Sequence, residues 1–160
     1  MARDHGAELS GQIAVLLGEQ ACHSQYKGWL KRTQQQARTY ERFVQTRQTE
    51  QGRTDNPLNP NNATGFLLAC AYPDRIAHRK PDRQNHYLLS NGRTATLAQG
   101  DALGNSEWLA VAELGGTLNR DGKGSNDRIF SACALDPALF ENQLSELIEE
   151  KDTLHWDEQT

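Results

Sequence analysis

The sequence predicts an α+β protein: a helical N-terminal part, then a small antiparallel β-barrel with helices before and after it. Three observations predict this class. Apolar residues recur at helical spacing up to about residue 50, and from His86 the period becomes two. Between these regions lies the stretch QGRTDNPLNPNNA, whose proline and asparagine content breaks both periods.

In order along the chain, Leu9, Ile13, Leu16 and Leu17 share one face, so Glu8 to Gln20 reads as a short amphipathic helix despite Gly11 and Gly18. Tyr26, Trp29, Leu30, Thr33, Ala37, Tyr40, Phe43 and Val44 form a stronger stripe on a second helix, from about Ser24 to Thr49, with Ser24 as N-cap. The stripe is read as core and the KRTQQQAR face as solvated. Residues 51–62 are a linker or long loop, because two prolines and four asparagines leave no continuous helix. Thr64 then caps a third helix, GFLLACAYPDRIAHR, which runs through a kink at Pro73 into a basic segment.

Beyond that segment the strands begin. HYLLSNGRTATL is a hairpin around Asn91-Gly92, a dipeptide suited to the positive φ angles of a type I′ turn. Glu107 to Leu114 and Asp127 to Leu135 are further strands, joined by the Gly-rich GGTLNRDGKGSND, which lacks the strand-to-helix setting and the Gly-Lys-Ser/Thr ending of a phosphate loop. Asp136-Pro137 opens a last helix with apolar face Leu139, Phe140, Leu144, Leu147 and Ile148. TLHWDEQT alternates like one more strand and stops where a partner is wanted, so the chain reads as cut there. Four or five short strands of this kind suit a small open OB-like barrel, a fold that often holds single-stranded nucleic acid.

The composition excludes several functions. No apolar run approaches the ~20 residues of a membrane span, and the first residues lack the apolar heart of a signal peptide, which points to a cytoplasmic protein. Cys22, Cys70 and Cys133 are widely spaced and read as reduced thiols, Cys70 and Cys133 as core fillers. The five histidines show no metal spacing, so no metal is expected. No catalytic constellation and no ATP motif can be assembled.

The net charge is −4, yet between Asp74 and Arg93 there are five basic residues, Arg75, Arg79, Lys80, Arg83 and Arg93, against Asp74 and Asp82. Such a cluster either contacts phosphate, releasing counterions, or complements a helix C-terminus. The residues alone leave both open.

The order of FLLACAYPDRIAHRK, YLLSNGRTATL, DALGNSEWLAVAEL and RIFSACALDPALFE resembles the region behind the motor of bacterial HrpB-type DEAH-box ATP-dependent helicases. The resemblance spans Gly65 to Glu141, and ARDHGAEL adds a weaker match to the end of the family's helical bundle, with Ala2 where Glu is expected. It implies that residues 1–50 are the tail of that bundle and that 63–160 are an OB-like accessory domain truncated at its end. The RecA-like motor lobes, with ATP and Mg, would precede Met1, so this chain is a fragment, by design or by gene truncation, with no cofactor and no catalytic residue of its own.

The implied partners are single-stranded nucleic acid, RNA in preference to DNA, and the motor lobes of the same helicase. Arg75, Arg79, Lys80 and Arg93 become the candidate phosphate contacts. His78 stands where the family tends to carry arginine, and a bidentate guanidinium contact is lost there. Tyr87 and Trp108 offer rings to bases but are read first as barrel core. The other reading is a protein-interaction module that docks on the helicase lobes and leaves nucleic acid alone.

Overall fold

A computed structural model describes residues 6–48, 60–116 and 127–148. Helix α1 spans Leu9–Leu17, with the Glu8 carboxylate accepting from the Ser10 amide and Gly18 closing it at φ 83°, a left-handed cap that costs glycine little. A single 3-10 turn, Ser24–Tyr26, leads into α2, Lys27–Gln48. His23, not Ser24, holds the cap position, and no side chain bonds there.

The stripe on α2 departs from its reading as core. Trp29 and Leu30 are partly covered, and the Gln34 amide donates to Leu16 O at 2.8 Å, tying α2 to α1. Farther along, Tyr40, Phe43 and Val44 are more than half exposed. The helix outruns what packs on it among the described residues.

Helix α3, Pro60–Ala71, starts before Thr64, with Pro60 in the first turn, where its missing N–H breaks no helical bond. It ends at Ala71, not in the basic segment: Tyr72 turns away at φ −137°, ψ 66°, and Pro73–Arg75 make one 3-10 turn. The basic residues that follow are therefore on a strand, β1, Ile76–Arg79. Cys70 is exposed on α3, whereas Cys133 is buried.

Strands β2 (His86–Leu89), β3 (Thr94–Thr96), β4 (Trp108–Gly115) and β5 (Asp127–Leu135) complete a closed barrel in the order β1-β2-β3-β5-β4. It is closed where an open barrel was expected, and β3 and β5 run parallel while the other pairs are antiparallel. The β2–β3 hairpin also has a different turn. Only Gly92 has positive φ, 83°; its amide donates to Leu89 O and the Leu89 amide to Arg93 O, both at 2.8 Å. This is a three-residue loop with glycine at the left-handed position, and it needs no strain at Asn91, whose side chain accepts from the Arg93 amide.

Alternation along the strands sends Ala77, Tyr87, Leu89, Ala95, Leu109, Val111 and Ile129 into the barrel. Ala7, just ahead of α1, joins this core: its carbonyl accepts from the Ala132 amide and its amide donates to Asp101 Oδ2 at 2.7 Å. A second core outside the barrel gathers Ala69, Ile76, Ala110, Leu135, Leu139 and Leu144. Gly65 lets α3 come this close to β5, since a Cβ there would lie 2.8 Å from Ala134 O.

The last helix is shorter than its apolar pattern suggested. α4 covers only Ala138–Glu141, Asn142 breaks it at φ −125°, ψ −92°, and a 3-10 turn follows at Ser145–Leu147. Leu139 and Leu144 would lie about 140° apart on a straight helix, so burying both requires the break. Leu147 and Ile148 are left exposed. The stretch 117–126, most of the linker and TLHWDEQT lie outside the described residues.

Candidate nucleic-acid interface

Strand β1 separates the basic residues by face. Ala77 pairs with Leu89 and Arg79 with Tyr87, so both lie on the barrel's inner side, while Ile76 and His78 face outward. Arg79 closes one end of the barrel, its Nη1 donating to Gly104 O at 3.3 Å and Asn105 O at 3.4 Å. Beside it the buried Tyr87 hydroxyl lies 2.8 Å from both Leu103 O and Ser106 O. Burial pushes the Tyr87 phenol up, and the Arg79 charge partly offsets this. Tyr87 is core, as its alternation indicated.

The opposite end holds the other two arginines. Arg75 Nη1 donates to Ala112 O at 3.1 Å, and its guanidinium lies 4.7 Å from the centre of the Tyr72 ring. Arg93 Nη2 sits 2.5 Å from Oδ2 of Asp127, a carboxylate only 4% exposed whose charge this guanidinium answers. Both arginines line a cleft of about 290 Å³ whose wall also carries Asp74 and Asp127. Arg75 and Arg79, at opposite ends of β1, are separated by about 13 Å of extended chain.

The four sequence candidates therefore do not converge. Arg75, Arg79 and Arg93 each hold a carbonyl or carboxylate of the barrel, at two ends. Lys80 differs: its amide donates to His86 O at 2.8 Å, and among the described residues its ammonium has no ion-pair partner.

The outward face of the strands carries a different arrangement. The register His78↔Trp108, His78↔Leu88 and Leu88↔Thr94 draws one row across β4, β1, β2 and β3. His78 and Trp108 have ring centres 4.2 Å apart, Trp108 and Phe140 4.7 Å, and Leu88 is 45% exposed. One pleat farther, Lys80 lies beside His86, His86 pairs with Thr96, and Thr96 with Arg128. Arg128 is exposed, with its guanidinium 5.7 Å from the Phe130 ring centre. Sequence reasoning missed His86, Leu88 and Arg128. Period two around Tyr87 and Ile129 carried the signal, because it turns their neighbours to solvent.

Glu107 borders the first row, 3.4 Å from His78 Nε2. Past the second row lies a polar cleft of about 570 Å³, lined in part by Gln84, Asn85, Gln99 and Asn105. Among the described residues no three His, Cys, Asp or Glu side chains group as metal ligands would, and no helix is long and apolar enough to cross a membrane.

Over 93 residues, 58% of its length, the chain is 37% identical to the ATP-dependent RNA helicase HrpB of Escherichia coli (strain K12), and it spans only 11% of that protein. Its fold matches the crystal structure of the E. coli DExH-box NTPase HrpB at a TM-score of 0.61 and 24% identity, over 98% of this chain and 16% of that one. No known protein-family profile matches the chain.

Proposed function

From the homology of this chain to the C-terminal region of the HrpB DExH-box helicase, we propose that it is an accessory module of an ATP-dependent helicase of the cytoplasm. In this role its OB-like barrel guides a single nucleic-acid strand, RNA in preference to DNA, past a motor located elsewhere in the protein. The observation that carries the reading is the 37% identity to a protein named as an RNA helicase. The strand order β1-β2-β3-β5-β4 supports it, being that of barrels that hold single strands on their outer face. ATP and Mg belong to the motor, and the chain's own task is to hold backbone phosphate.

Titration of the chain into labelled single-stranded RNA, followed by anisotropy with ATP turnover measured alongside, tests this reading. Salt-sensitive binding without turnover is expected. RNA-stimulated turnover by the chain alone, or no binding at low salt, would contradict it.

A second reading is favoured by one observation, the exposure of Tyr40, Phe43 and Val44 on α2. An apolar stripe left open in this way suits docking against the motor lobes of the same helicase. Co-elution of the chain with separately made lobes, lost in Phe43→Asp, would support that role.

A further inference from the structure

We propose that the strand is held on the outward face of the barrel, with phosphates on the row Lys80, just past β1, His86 of β2 and Arg128 of β5, and bases on the row Trp108, His78 and Leu88 of β4, β1 and β2, an assignment that rests on the single-strand reading above.

The argument begins with which charges are available. Arg75, Arg79 and Arg93 are bonded to Ala112 O, to Gly104 O and Asn105 O, and to the Asp127 carboxylate. These bonds fix each guanidinium at an end of the barrel, and drawing one away onto a phosphate would strip a barrel group of its partner, in Arg93's case a buried carboxylate. Lys80 and Arg128 meet a phosphate without that loss, as among the described residues neither has an ion pair to break. Thr96 stands between His86 and Arg128 in the same row, and its hydroxyl can also donate to a phosphate oxygen.

Spacing supplies the second step. Equivalent positions on a strand repeat every two residues, about 7 Å, so the basic row runs parallel to the apolar row at that distance. This is the reach from phosphate to base within one nucleotide. A strand laid across β1, β2 and β3 therefore sets its charges on one row and its base faces on the other. The tilted stack of His78 and Trp108, backed by Phe140, is a rigid platform, and Leu88 extends it with exposed apolar surface. Stacking of this kind tolerates any base, because every base has a π face. Glu107, bound to His78, stands at the β4 edge of this face, where its carbonyl accepts from the Arg79 amide one residue before Lys80, so the strand passes on the β2 side of that carboxylate.

The test uses the whole chain and a labelled oligouridylate. At about 0.1 M salt, losing two phosphate contacts at ~0.7 each in the log–log slope weakens binding about 25-fold. That loss is expected for Lys80→Ala with Arg128→Ala. Leu88→Glu, which disturbs no core residue, is expected to weaken it about tenfold, within the range for one lost base contact. Arg75→Ala should leave affinity unchanged. In a Trp29→Phe, Trp156→Phe background the remaining fluorescence reports Trp108 alone, and saturating oligonucleotide should quench it. Wild-type binding that survives both face variants and fails in Arg75→Ala would overturn this assignment and leave the single-strand reading standing. Absence of wild-type binding would remove both.

Discussion

Arg79 and Lys80 are adjacent in the chain and have opposite fates. Arg79 lies on the inner side of β1 and closes the barrel through two carbonyls, while Lys80 lies beside His86 with no ion pair among the described residues. The same contrast separates Arg93, bound to a buried carboxylate, from Arg128, exposed one residue after that carboxylate. Charge density along a sequence therefore says little about where charge can be used, since on a strand successive residues belong to different faces. Inward groups hold the barrel together, and those outward groups that the helices leave uncovered remain available to a ligand.

The largest effect is expected where the helices cover the outside of β5, and it is read at high pH. Burial raises the Cys133 thiol from 9.0 to about 11, with the Glu8 carboxylate adding to it. The folded state then keeps this proton where the unfolded chain has lost it, so stability is intact below about pH 9 and falls as pH rises towards 11. At ~1.4 kcal/mol per pH unit the loss approaches about 2–3 kcal/mol, measurable by urea denaturation, and Cys133→Ala should flatten the curve.

Next in size is Arg93→Ala. Stranding a buried carboxylate costs about 3–5 kcal/mol when both partners are buried, and because Arg93 is half exposed to solvent about 2 kcal/mol is expected here. Replacing Asp127 by Asn in the same variant should recover part of the loss. Arg79→Ala removes hydrogen bonds to two carbonyls and should cost about 1 kcal/mol in a thermal melt. Lys80→Ala, at the small end, should change stability by less than about 0.5 kcal/mol. A large loss at Lys80, or none at Arg93, would break the division between inward and outward groups.

Much of the barrel was legible in the sequence. β5 has the bounds that its sequence pattern gave it, and β4 is displaced by one residue, because both are largely apolar runs of eight or nine residues bounded by glycine or polar residues. β1 was not legible. Its four residues, Ile-Ala-His-Arg, contain one β-branched side chain and are separated from the helical LLACA only by Tyr72 to Arg75, so local pattern extended the helix across Pro73. Only pairing with β2 and β4, distant in sequence, makes them a strand.

The break at Asn142 was hidden for a related reason. An apolar list such as Leu139, Phe140 and Leu144 fits a helix until the second core requires two positions that a straight helix cannot turn the same way. The candidate site was half legible. Lys80 lay in the basic cluster, but the roles of its neighbours depended on which face of the barrel each one reached, and that follows from register and closure.

The central claim is that the outward row, and not the arginines at the barrel ends, meets the phosphates. The most direct measurement is the slope of log affinity for single-stranded RNA against log salt, for the wild-type chain, Lys80→Ala with Arg128→Ala, and Arg75→Ala with Arg79→Ala. At ~0.7 per phosphate on a single strand, the first pair should flatten the slope by about 1.4, and the second should leave it at the wild-type value. A slope flattened by the Arg75 and Arg79 substitutions and untouched by those at Lys80 and Arg128 would contradict the account.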